Sequence, residues 1–126
     1  MKIFVVLGSV NALMSVVLGA YGAHVLADKS GAAQLLATWH KATTYQMYHA
    51  MALILIALLV KLWPQVRSIR TAGLLLLLGI ILFSGSLYVM VISGWQWLRF
   101  ATPVGGCSFI AGWALLTFSV RKFDRY

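Results

Sequence analysis

Glutamate is absent from this 126-residue chain, and acidic residues number two, Asp28 and Asp124. Only 10% of the residues carry a charge, whereas a water-soluble domain covers itself with roughly a quarter. Most of the surface must therefore face something other than water, and lipid is the solvent that suits it. Cysteine occurs once, at Cys107, which excludes an internal disulfide and a cysteine-based zinc knuckle. The shortage of acids also removes the side chains that membrane proton relays normally use and those that orient a catalytic base.

What is present is hydrocarbon, at 62% apolar residues, and a formal charge of +8. The cations lie singly or in short groups between apolar runs, which is how membrane proteins distribute charge and not how a basic stripe meets a duplex, so nucleic acid is excluded as a partner. Cutting at every charge leaves four long runs, 3–27, 42–60, 71–98 and 100–120. Each can cross a hydrocarbon core, which takes about 20 helical residues. Backbone in lipid must satisfy its own hydrogen bonds, and no run alternates like a barrel strand. The expectation is an all-α integral membrane protein: one domain with four transmembrane helices in an antiparallel bundle, at about 3–26, 42–62, 71–93 and 101–120. The bilayer is the first partner.

Seven cations (Lys2, Lys61, Arg67, Arg70, Arg121, Lys122, Arg125) share one side with both termini, against Lys29, Lys41 and Arg99 on the other. That bias places both termini in the cytoplasm and the chain in a bacterial inner membrane as a multi-pass protein. Trp39, Trp95 and Trp97 are expected in the outer aromatic belt, with Trp63, Phe123 and Tyr126 in the inner one. A cleaved secretory signal is the rival reading of the first residues, with Ala20-Tyr21-Gly22-Ala23 as its small-residue site. The apolar stretch is longer than a typical signal core, so it is expected to stay as the first span.

In the first helix, Gly8, Ala12, Ser15, Gly19 and Gly22 fall on one face, where another backbone can approach closely. Asn11 sits near mid-depth, and its amide needs a partner on a neighbouring helix. Beyond it, Ala32, Leu35, Leu36 and Trp39 repeat at helical spacing. This predicts a short amphipathic helix over about 31–40 in the first outer loop, either lying on the interface or prolonging the second helix outward. The second helix carries Tyr45 and His49 four apart on one face, with Gln46 beside His49, and Pro64 stops it. In the fourth, Pro103 suits a first turn, Gly105, Ser108 and Gly112 form a packing stripe, and the deep Trp113 needs an internal partner for its N–H. Helix packing is thus assigned to Asn11, Gly19, Gly22, Gly105 and Gly112.

Depth sorts the polar side chains. His24, Tyr45, His49, Ser84, Ser86, Tyr88 and Thr102 all fall in the outer third of their helices, whereas the inner half is aliphatic apart from Asn11. A polar cluster under the outer leaflet is the candidate site. The motifs Gly19-Ala20-Tyr21-Gly22-Ala23-His24, Tyr45-Gln46-Met47-Tyr48-His49, Phe83-Ser84-Gly85-Ser86-Leu87-Tyr88, Thr102-Pro103-Val104-Gly105-Gly106 and Gly112-Trp113 carry a resemblance along essentially the whole chain. It resembles the domain-of-unknown-function family 423, the YgdD-like small inner-membrane proteins of bacteria, whose relatives reach eukaryotes. The family pattern often has Phe where this chain has Tyr21. The resemblance implies a four-helix integral membrane protein and brings no established activity, cofactor or substrate.

Among function classes, a non-catalytic protein that assembles with itself or with a membrane partner ranks first, on its small-residue faces. Binding of a small lipophile, quinone or metal in the outer cluster ranks second, with His24, His49, Tyr45 and Tyr88 as contacts. Metal is its weaker form: His40 and His49 are nine residues apart, about 180° around a helix, which leaves two histidines where even a catalytic zinc has three protein ligands. No metal site and no cofactor is assigned. A small-solute transporter ranks third, since coupled export through a membrane-embedded glutamate is impossible here. An enzyme ranks last: Ser84 and Ser86 have no oriented base, and serines in apolar helices bond the preceding turn.

Overall fold

The computed structural model describes residues 1–125, with side chains through Phe123. Tyr126, assigned to the inner belt, lies outside the described residues. The chain is helical almost throughout. Helix α1 (Lys2–His24) runs into a 3₁₀ turn (Leu26–Asp28), and α2 (Ala32–Leu62) returns. Helix α3 (Arg67–Gly79), a π-helical turn (Ile80–Ser84) and α4 (Gly85–Ser93) form one continuous third span. A 3₁₀ turn (Gln96–Phe100), α5 (Ala101–Ser119) and a last 3₁₀ stretch (Val120–Arg125) complete it. These give four helices long and apolar enough to cross a membrane, as the charge-free runs require.

Two glycines make the turns opposite the termini. Gly31 and Gly94 both take φ 74°, in the left-handed region that costs a side-chain-bearing residue about 1–2 kcal/mol. Gly94 ends α4, its N–H donating to the Met90 carbonyl at 3.0 Å.

The amphipathic segment 31–40 is not a separate helix. It is the start of α2, whose 31 residues run unbroken through Lys41, so the outward prolongation is the form adopted. The reason is Trp39. It is only 2% exposed and donates its indole N–H to the Leu18 carbonyl of α1 at 2.6 Å. Its ring lies against Gly22, leaving no room for a Cβ there. A side chain so anchored inside the bundle fixes this segment along α1, and Trp39 is therefore not a belt residue. Trp95 and Trp97, at 56% and 65% exposure, keep the surface position expected of them, and Trp63 stacks on Phe123 at the termini end.

The helices pack in chain order. Helix α1 lies along α2, α2 along the third span, and α5 along the other flank of that span. Close approach is made by small residues. The space a Cβ would take at Gly8 is held by Ile54 and the Ala50 carbonyl, at Gly73 by Phe4 and Ile56, and at Gly79 by the Phe109 ring. Gly105 sits on the backbone of Leu82 and Phe83, and Gly112 on Leu76 and the Ala72 carbonyl. Gly19 differs from its assignment: nothing approaches the position of its Cβ within 4 Å, because α1 and α2 diverge there. Towards the termini end the buried core is aliphatic, built on Leu53, Ile56, Ile69, Ala72 and Leu76 and closed by Phe4, Phe109 and Leu116.

Candidate functional site

An amide in hydrocarbon has no water to bond, so it must find protein. The Asn11 Nδ2 donates to the Leu7 carbonyl at 2.9 Å within α1, and its Oδ1 accepts from Gln46 Nε2 at 3.1 Å. Gln46 Oε1 in turn accepts from the Tyr88 hydroxyl at 2.6 Å. Three helices are thereby tied by one side-chain chain. Gln46 is 3% exposed and is its centre. Side chains lean towards the N-terminus of their helix, so Gln46 and Tyr88 on antiparallel helices lean towards each other. The Tyr88 ring meets the Trp39 ring edge-on, centroids 4.7 Å apart, and Trp39 meets Tyr21.

The remaining hydroxyls act as helix clips. Ser15 donates to the Thr43 carbonyl at 2.8 Å, joining α1 to α2. Ser84, in the π-helical turn, donates to the Ala42 carbonyl at 2.8 Å, joining the third span to α2. The Ser86 and Thr102 hydroxyls are 2.6 Å apart, joining α4 to α5. The π-turn closes with the Gly85 N–H donating to the Ile80 carbonyl, five residues back. Its wider winding turns Ser84 towards α2 and Ser86 towards α5 within one turn of chain. Such turns are frequent where a helix serves a site.

His49 stands on the other face of α2, towards α5. Its Nδ1 lies 2.7 Å from the Tyr45 carbonyl, which can only accept, so Nδ1 carries the proton. Nε2 then accepts from the Trp113 indole N–H at 3.2 Å. The two bonds assign a neutral ring with one tautomer. Phe109 stacks on it, centroids 3.5 Å apart and planes 10° apart, and Tyr45 leans on Phe83. Tyr45 and His49 are four apart on α2, Phe109 and Trp113 four apart on α5, and the two pairs face each other. Between them lies a groove of about 700 Å³ lined chiefly by Tyr45, His49, Phe83, Phe109, Ile110 and Trp113. It opens sideways: Tyr45 and Trp113 are each 41% exposed and Ile110 is 71% exposed.

The expected single cluster is thus two neighbouring assemblies with a clip. Gln46, Tyr88 and Asn11 form one, Tyr45 and His49 the other, while Ser84, Ser86 and Thr102 clamp the third span between α2 and α5. His24 belongs to neither. It is exposed in the last turn of α1, turned away from α2 at the level where Trp39 fills the space against Gly22. His24 and His49 do not share a site, and among the described residues no three of His, Cys, Asp and Glu gather as metal ligands. Gln46 and Phe109 were not assigned to the site from the sequence. Both had a signal: Gln46 is the only amide in the apolar run of α2, and Phe109–Trp113 repeats the four-residue spacing of Tyr45–His49.

Comparison with known proteins decides the family. The model described as protein of unknown function (DUF423) matches residues 18–106. A UPF0382 membrane protein of Staphylococcus aureus is 45% identical over 123 residues, covering 98% of either chain. YwdK of Bacillus subtilis, also a UPF0382 membrane protein, is 42% identical over 123 residues, covering 98% of this chain and 99% of its own. The chain belongs to the DUF423 family. It is a membrane protein, as those relatives are named, and its bilayer setting follows from both the name and the spans. The family match takes in Tyr45, His49, Phe83 and Tyr88, and the whole-chain relatives extend over Phe109 and Trp113. No solved structure matches the chain.

Proposed function

We propose that this DUF423 protein is a non-catalytic lipophile-binding protein that takes its ligand from the bilayer through the groove between α2 and α5. The carrying observation is the groove itself, a concave space of about 700 Å³, within the range of small-molecule sites. It lies at hydrocarbon depth. Lys41 and Lys61 bracket a stretch of α2 as long as a bilayer core, about 30 Å, and His49 is about 12 Å along it from Lys41. Only lipid-soluble molecules reach that level.

The sequence alone favoured assembly, on its small-residue faces. Gly8, Gly22, Gly73, Gly79, Gly105 and Gly112 are all spent on packing within the chain, which removes most of that support. Association through α1 is the second reading, favoured by the open space at Gly19 between α1 and α2. The cation bias supports an inner-membrane location with both termini in the cytoplasm.

Solvent extraction of the purified protein followed by mass spectrometry tests the ligand reading. A lipophile present in near-stoichiometric amount, and lost when Ala114→Trp fills the groove, is the expected result. Equal recovery from both proteins would overturn it.

A further inference from the structure

The walls of the groove narrow the class of ligand, an inference that rests on the lipophile-binding reading. We infer that the occupant is a planar, uncharged ring bearing a carbonyl oxygen, with the chemistry of a quinone head group, which accepts a hydrogen bond from the Tyr45 hydroxyl.

Three observations converge. First, the walls are ring faces. Tyr45, His49, Phe83, Phe109 and Trp113 outnumber the aliphatic side chains Ile110 and Ala114. The chain holds its own counter-example in a second lateral hollow, lined by Ile81, Leu82, Val89 and Leu98. That one offers only methyl and methylene groups, the surface an acyl chain fits. Aromatic pairs prefer offset or edge-on contact with other rings, worth about 0.5–1.5 kcal/mol beyond area burial.

Second, the hydrogen-bonding groups of the groove are already committed, with one exception. The His49 nitrogens are taken by the Tyr45 carbonyl and the Trp113 indole. The Thr117 hydroxyl donates to the Trp113 carbonyl at 3.0 Å. Among the described residues the Tyr45 hydroxyl alone engages no partner, and it is a donor at a depth without water. It asks for an acceptor on the ligand.

Third, none of the lining residues carries a charge, and His49 is held neutral by its two bonds. A phosphate or ammonium head would enter without a counter-ion, which is costly at this depth. A neutral carbonyl enters without that penalty. The sideways opening lets a hydrocarbon tail remain among the lipids.

The test uses the full chain in phosphatidylcholine nanodiscs. Binding of a benzoquinone with one isoprene unit is compared with that of an alkylbenzene of equal tail length, by equilibrium dialysis. Saturable quinone binding, tighter than that of the alkylbenzene, is expected. Tyr45→Phe removes one exposed oxygen and leaves the ring, so the fold is unaffected; it is expected to weaken the quinone about threefold to tenfold and leave the alkylbenzene unchanged. Equal affinity for the two probes, with Tyr45→Phe silent, would sink the ring-and-carbonyl class while leaving a lipophile groove in place. If neither probe binds saturably and Ala114→Trp alters no bound lipid either, the groove reading fails with it.

Discussion

His49 and Phe109, from helices that share little backbone contact, lie face to face with centroids 3.5 Å apart. This stack is the seam between α2 and α5. Beyond it the two helices part, and the groove begins. His49 therefore acts in two directions, closing the bundle behind it and forming the back wall of the space in front.

Replacing that ring opens the seam. His49→Ala removes the stacked partner of Phe109 and leaves the Trp113 indole without its acceptor. A loss of about 2–4 kcal/mol is expected from the cavity and the unpaired donor together. Thermal melting in detergent measures the loss, and hydrogen exchange should rise around Phe109–Trp113 in α5 before it rises in α1. Unchanged melting would show that the seam is held elsewhere.

Gln46→Leu cuts the chain that ties α1 to α4. It strands Asn11 Oδ1 and the Tyr88 hydroxyl, and about 1–3 kcal/mol is expected to be lost. Tyr88→Phe removes one of the stranded groups, so the double variant should be less unstable than the sum of the two. Interactions of this kind within membranes couple by about 0.6 kcal/mol, reaching about 1.7. Strict additivity in the double-mutant cycle would refute the link.

Gly105→Ala and Gly19→Ala make an opposed pair. The first drives a methyl into the backbone of Leu82 and Phe83, where no side chain can yield, and about 1–3 kcal/mol of overpacking is expected. The second meets open space, and its melting temperature should equal that of the parent. A reversed order would mean that α1 and α2 close together at Gly19.

Orientation is open to a direct check. In a Cys107→Ser background, a cysteine at Gly31 should react with a membrane-impermeant maleimide from outside the cell. One at Lys2 should react only after the membrane is opened. The reverse pattern would invert the topology.

The spans were legible because hydrocarbon length and charge are additive properties of the sequence. The polar inventory at the far end was legible for the same reason, since depth follows from counting residues. Partnership was not. His24 and Tyr45 look equivalent by depth, but helix rotation sets one outward and the other against α5, and rotation depends on where Trp39 finds Gly22. Trp39 itself misleads: a tryptophan beside Lys41 reads as interfacial, and only the Leu18 carbonyl, freed on a neighbouring helix, draws it inward. Ser84 and Ser86 are two apart, a spacing that puts their side chains about 200° apart on a regular helix. The π-turn makes them serve different neighbours, and no residue type between Gly79 and Gly85 announces its winding.

The π-turn also acts as a phase setting for everything that follows it. One residue more or fewer between Gly79 and Gly85 would rotate α4 by about 100°. Tyr88 would swing away from Gln46 and Ser86 away from Thr102 together, with no change in composition or hydropathy. A relative differing in length at this place would thus keep its crossings and lose its wiring.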